Sequence, residues 1–317
     1  MKGATLLPLT ALTTGALASV LPSNPLTERQ QCNGIAVTNR RTVPASTGLH
    51  QLSHPDLPPG GLTAQTSEYI FPPDAGAGTC AWSIDTGVKP NHNEYAPRLV
   101  ALWDCIGAAD RLADNPFASN YGCVQQVEPY PVDFDGNGHG THTSATILGT
   151  QYGVAPAAKL IGIRALNAQG GGVLADVVSA IKLATFDAAE RSVGARPSCP
   201  LGTACNLSLG VGLPFSILTL LDPTSDLHKA VNEAAAKGLF CAVAAGNSDQ
   251  PVEIFTPANA LDACTVGALD EANEKACFSN FGSAVDVWAT GVRVLSAWIN
   301  GTDGSVSSSF YQFVSGC

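Results

Sequence analysis

Charge is scarce in this chain. Only 13% of its 317 residues are Asp, Glu, Lys or Arg, and the 16 Lys and Arg are scattered, with no basic stripe. That excludes the clustered cations with which nucleic-acid binders displace counterions. The formal charge of −10 suits solubility outside the cell and says little about fold. Long apolar runs are also missing. Past the first residues, no stretch reaches the roughly 18 uninterrupted apolar residues that span a bilayer, so no membrane partner is expected. There is no internal repeat and no low-complexity tract. No G-x-G-x-x-G opens a helix, which removes a dinucleotide fingerprint, and no H-E-x-x-H zinc pattern occurs. Asp85-Thr86-Gly87 has no second Asp-Thr-Gly or Asp-Ser-Gly beside it, so a paired-aspartate site of that kind is excluded.

What is present begins with an export signal. Lys2, the apolar residues 6–17 and Ala16-Leu17-Ala18 read as residues 1–18 of a secretory leader with an A-x-A cleavage site. Ten Cys fit that oxidising compartment, and the mature chain is expected to be extracellular. Residues 19–41 are polar and end at Arg40-Arg41, consistent with a short pro-segment or its remnant. Residues 42–317 form the main domain, with a Pro- and Gly-rich, extended lead-in over 43–78.

From Cys80 the pattern alternates. Strands are expected at 81–84, 160–165, 205–209, 239–245, 263–268 and 285–288. Helices are expected at 139–148, around Leu174, Val177, Val178 and Ile181, and from Ser225 to Gly238 with Leu227, Ala230, Val231 and Ala234 inward. Strand–helix alternation predicts an α/β fold with a mostly parallel sheet covered on both faces. Ligands of such sheets gather beyond the carboxyl ends of the strands, where Asp85 and Asn247 fall.

Three residues carry candidate chemistry. Asp85, at a strand end, can orient an imidazole, although Asp-Thr-Gly is also good turn chemistry. His139 follows the flexible turn Asp135-Gly136-Asn137-Gly138 into a helix start and can shuttle protons near neutral pH; a lone surface histidine is the competing reading. Asn247 can donate its amide to a developing oxyanion, or simply supply a turn.

Taken together, Asp85-Thr86-Gly87, Gly138-His139-Gly140-Thr141-His142 and Ala244-Ala245-Gly246-Asn247, in this order, resemble the subtilisin-like serine proteases (peptidase S8 type), most closely the proteinase K subfamily. The resemblance covers about 230 residues and implies a three-layer sandwich and a monomeric, secreted endopeptidase acting on protein or peptide substrates, with no cofactor for catalysis. Asp85 orients, His139 exchanges protons and Asn247 holds the oxyanion. His142 is structural. Ser208-Leu209-Gly210 and Gly170-Gly171-Gly172 are the two segments that sandwich an extended peptide. Ala244, Ala245 and Gly246, with Pro257 and Ala258 opposite, wall a roomy apolar pocket. The resemblance also implies a Cys80–Cys199 disulfide, and Cys264 matches one end of a second bridge. Asp286 falls where the family holds a structural calcium; a surface-turn aspartate is the alternative. Cys105 and Cys123 can bridge locally inside an insertion, and the pairing of Cys32, Cys205, Cys241, Cys277 and Cys317 stays open.

The pattern breaks near the end. The family's Gly-Thr-Ser-Met-Ala segment, which carries the nucleophile and opens a buried helix, does not occur. Counting without a gap puts that serine on Phe310, and Ser307, Ser308 and Ser309 lack the flanking residues. The peptidase domain is therefore expected to be C-terminally incomplete, with part of its sheet uncovered. A catalytically dead peptide-binding pseudoprotease is the alternative function.

Overall fold

The computed structural model describes residues 39–42, 47–54, 68–115, 120–192, 198–212, 225–300 and 306–307. The expected leader, most of the expected pro-segment, Cys32, Ser308, Ser309, Phe310 and Cys317 lie outside the described residues. The elements in chain order are β1 (Asn39–Thr42), α1 (Thr47–Ser53), β2 (Glu68–Phe71), β3 (Thr79–Asp85), β4 (Leu99–Asp104), α2 (Ala108–Asp114), β5 (Val124–Gln126), α3 (His139–Leu148), β6 (Lys159–Arg164), α4 (Leu174–Ser192), β7 (Gly202–Leu207), β8 (Val211–Gly212), α5 (Ser225–Ala236), β9 (Phe240–Ala244), β10 (Phe255–Thr256), β11 (Cys264–Leu269), β12 (Val287–Thr290), β13 (Ser296–Ala297) and β14 (Val306–Ser307).

Eight strands form the central sheet in the order β12-β11-β9-β7-β3-β6-β4-β5. All pairings are parallel except β4 with β5. Alternation along β3 explains the layers, because successive side chains point to opposite faces. Cys80, Trp82 and Ile84 pack with Val177 and Ile181 of α4 and Leu227 and Val231 of α5. Ala81, one step out of phase, packs with Ala145 and Leu148 of α3. The result is the α/β/α sandwich that the alternation predicts. On the α3 side, the sheet end formed by β9, β11 and β12 borders an apolar cavity of about 260 Å³. Val287 and Trp288 of β12 are exposed.

The lead-in is more structured than its composition suggests. It contains α1, and β1 pairs antiparallel with β2, with Arg40 opposite Ile70 and Arg41 opposite Tyr69. A seven-residue helix and four-residue strands are too short to impose a clear period on a Pro/Gly-rich background. A second difference is that the strand expected over 205–209 leaves the sheet after Leu207. Its last partners are Ser83 of β3 and Val243 of β9.

Cys80 and Cys199 are joined across 119 residues, a loop whose closure contributes about 4–5 kcal/mol in the chain-entropy account. Cys105–Cys123 closes the insertion. Cys205 pairs with Cys241, directly opposite it in the β7–β9 register. Cys264 is a free thiol, raised above its ordinary pKa by burial and by Asp286.

A buried ion pair anchors α4 to the sheet. Asp187 accepts a hydrogen bond from the Trp82 indole at 3.3 Å and one from Arg191 Nε at 2.7 Å, with both charged side chains under 10% exposed (8% and 6%). Removing one partner of such a pair strands the other charge away from water. Arg191→Met is expected to lower the unfolding free energy by about 3–5 kcal/mol in a urea titration.

Candidate active site

The sheet's carboxyl edge assembles the site. β3 is central, flanked by β6 on one side and β7 on the other, and the chain builds the β6 side before crossing to β7. At such a switch point the loops leaving neighbouring strands part and open a crevice. Asp85 closes β3, fully buried. Its backbone carbonyl accepts from the N–H groups of Ala165 and Leu166 at 2.8 and 3.0 Å, which ties it to the end of β6. Its Oδ1 lies 2.7 Å from His139 Nδ1 and also accepts the Thr86 N–H at 2.7 Å; Thr143 Oγ1 donates to Oδ2 at 3.3 Å. His139 is the first residue of α3, so the helix start fixes its backbone while Asp85 fixes its ring. The two segments touch closely enough that a Cβ on Gly140 would sit 2.0 Å from the Gly87 carbonyl oxygen.

Burial alone would push the His139 imidazole down. The Asp85 charge and hydrogen bond, with a smaller contribution from Asp135, more than offset it, and the group titrates above its ordinary value. The protonated ring is thus held in place by Asp85 Oδ1 on one nitrogen.

His139 opens onto a groove of about 530 Å³ lined also by Gly170, Gly171, Gly172, Ser208, Leu209, Gly210 and Asn247. Gly170 and Gly171 belong to a turn closed by Asn167, whose N–H donates to the Gly171 carbonyl at 2.8 Å and whose Oδ1 accepts the Gly171 N–H at 3.1 Å. Ser208 to Gly210 lie past the last pairing of β7, where backbone groups face the groove and can pair with an extended chain.

Ala245 and Gly246 stand elsewhere. They line the 260 Å³ cavity, not the groove, and that cavity touches the groove only through Ser208 and Asn247, which border both. Ala245 is drawn into a cluster with Val252 and Ala258, so Ala258 is core and not a facing wall. Gly246 takes φ +105° against Asn280. Asn280, fully buried, holds the Asn247 loop on both sides. Its amide donates to the Ala245 carbonyl at 2.8 Å, and its Oδ1 accepts the Ser248 and Gln250 N–H groups at 2.9 and 3.1 Å. Sequence reasoning gave Asn280 no role; the run Phe278-Ser279-Asn280-Phe281-Gly282-Ser283, part of the resemblance, was the available signal.

His142 is buried, with Nε2 3.1 Å from the Val294 carbonyl and its own carbonyl accepting from Ser296. Asp286 is outside the groove, and its Oδ2 accepts the Thr265 N–H at 2.7 Å, pinning its loop to β11. Among the described residues, no three His, Cys, Asp or Glu side chains converge as metal ligands.

The pairing makes a titration prediction. A raised histidine pKa stabilises the folded state fully below the unfolded value of about 6.5, and that contribution is lost as pH rises through the folded midpoint. Asp85→Asn removes the main upward influence and leaves the burial. The His139 midpoint, followed by NMR, is expected to fall below that of the parent, and the decline of stability across the parent's window is expected to flatten.

The subtilase family (peptidase S8) profile matches residues 76–316. Proteinase T of Parengyodontium album is 36% identical over 80% of this chain and 71% of its own length. Subtilisin-like serine protease AsES of Sarocladium strictum is 35% identical over 75% of this chain, and the chain spans 51% of that protein's length. A solved structure, that of a cold adapted subtilisin-like serine proteinase, aligns with a TM-score of 0.61 at 29% identity, covering 83% of this chain and 77% of that one. With the sheet order and the Asp85–His139 pair already in place, these matches settle the lineage: the chain belongs to the subtilase family.

Proposed function

We propose that this chain is the catalytic domain of a secreted serine-type endopeptidase that hydrolyses peptide bonds in proteins. The observation that carries the reading is the 2.7 Å contact between buried Asp85 and His139, at the mouth of a groove that also contains Asn247. Asp85 holds Nδ1 and so selects the tautomer in which Nε2 accepts a proton. His139 takes the proton of an attacking serine hydroxyl and returns it to the leaving amine, and Asp85 stabilises the imidazolium between those steps. Asn247 donates to the oxyanion of the tetrahedral intermediate. Ser208–Gly210 and Gly170–Gly172 hold the substrate backbone extended across His139.

No serine of residues 1–317 is assigned as the nucleophile: the family order places it past Ser307, where the counted position falls on Phe310 and the Gly-Thr-Ser-Met-Ala segment does not occur. Asp286 is retained as a proposed calcium ligand through its second carboxylate oxygen and nearby backbone carbonyls, a structural role with no part in the reaction. Export is supported by residues 1–18, and among the described residues no helix is long and apolar enough to cross a membrane. The peptide-binding alternative keeps the groove and loses the chemistry.

Hydrolysis of a chromogenic peptide by the secreted protein separates the two. The protease reading expects turnover that rises with pH through the raised His139 midpoint, because only the neutral ring accepts the serine proton. It expects His139→Ala to cost on the order of 10⁶ in kcat. Asn247→Ala is expected to cost about 10²–10³ in kcat with KM little changed. Binding of the peptide without turnover would establish the silent alternative.

A further inference from the structure

The turn that delivers His139 is not flexible. Asp135, 4% exposed, stands at its start and is the acceptor for five hydrogen bonds. Oδ1 accepts from Thr86 Oγ1 at 2.9 Å, the Asn137 N–H at 3.0 Å and the Gly138 N–H at 2.8 Å. Oδ2 accepts from the Thr141 N–H at 2.9 Å and from Thr141 Oγ1 at 2.7 Å. Both partner hydroxyls carry the connection onward. Thr86 Oγ1 accepts the Gly140 N–H at 3.0 Å, and Thr141 Oγ1 accepts the Lys89 N–H at 2.9 Å. One carboxylate thus joins the strand end that carries Asp85 to the helix start that carries His139.

We propose that Asp135 is a positioning residue for the Asp85–His139 pair, setting the distance between the two segments and so the length of the bond between their side chains. The inference rests on the reading of Asp85 and His139 as a working pair and goes beyond it, since Asp135 touches neither ring nor substrate. The geometry requires such a clamp. Two backbone segments in the close approach already described at Gly140 and Gly87 bring N–H groups together that need an acceptor between them, and an unpaired buried N–H costs about 1–3 kcal/mol. A carboxylate supplies several acceptor sites; an amide of the same shape replaces one oxygen with a donor and sets it against a backbone N–H, that of Thr141 on the Oδ2 side or those of Asn137 and Gly138 on the Oδ1 side. The Asp135 charge also adds to that of Asp85 in raising His139. Asp85 from β3 and Asp135 from the turn are the two charged groups that act on the ring.

The test needs no turnover, so it stands apart from any failure of the protease reading in an activity assay. In the full-length chain the Asp85–His139 bond is read as a downfield Nδ1–H proton resonance, and the His139 midpoint by NMR titration. Asp135→Asn is expected to lose or shift that resonance upfield and to lower the midpoint, in a variant whose circular dichroism remains that of the folded parent. Thr86→Val, which keeps the charge and cuts the tether to β3, is expected to lose the resonance with a smaller change in midpoint, and Thr86→Ser to restore it. If Asp135→Asn does not fold, the Thr86 pair decides: a resonance lost in the valine variant and regained in the serine variant supports the clamp. An unchanged resonance in folded Asp135→Asn, or in Thr86→Val, overturns it.

Discussion

Everything at this site follows from one placement, a fully buried carboxylate at the end of the central strand. Asp85 sits where β3 stops and its neighbours β6 and β7 diverge. A buried carboxylate needs partners, and a single oxygen takes both the Thr86 N–H and His139 Nδ1. That demand brings α3 against the sheet edge with its first residue toward the crevice. It leaves no room for a side chain at Gly140 and raises the imidazole above its ordinary pKa. The hydrophobic layers serve this placement. Trp82 and Ile84, on the same strand, bury one face under α4 and α5, while Ala81 receives α3 on the other.

Polar satisfaction, more than apolar packing, gives the loops their shape. Asp135, Asn167 and Asn280 each stand at the root of a segment that borders the groove, and each does so by accepting backbone N–H groups that no strand or helix uses. These three side chains convert irregular loops into fixed walls. Where such a root is paired with the apolar core, as at Ala245, the segment turns inward and lines the neighbouring cavity instead of the groove.

Much of the frame could be read from the chain. α3 runs over His139–Leu148 as expected, and α4 and α5 present the inward residues that the helical period selects. Strands β3, β6, β9, β11 and β12 fall within two residues of their expected positions, because buried parallel strands are nearly continuous apolar runs; β7 begins three residues earlier than expected, and β4, β5, β8 and β10 were not anticipated. The lead-in was not legible, since its elements are shorter than the period needed to announce them. Nor was the Cys205–Cys241 bond, which depends on the register of two strands that are neighbours in the sheet but not in sequence. Asp135 was visible only as part of a turn: its partner Thr86 is 49 residues away, and no local pattern shows that a loop carboxylate will be the acceptor for another strand. Ala245 and Gly246 line the apolar cavity while Ala258 is core, a division the chain could not show, as small residues mark close packing without saying on which side.

The central claim is that His139, oriented by Asp85, activates a serine at this groove. Reaction of the purified full-length protein with a serine-directed phosphonate, followed by peptide mapping, tests it most directly. The account predicts one adduct, on a serine outside the described residues, that forms faster as His139 loses its proton and disappears in His139→Ala. An adduct that survives His139→Ala, or a folded full-length protein that takes no label, would contradict it.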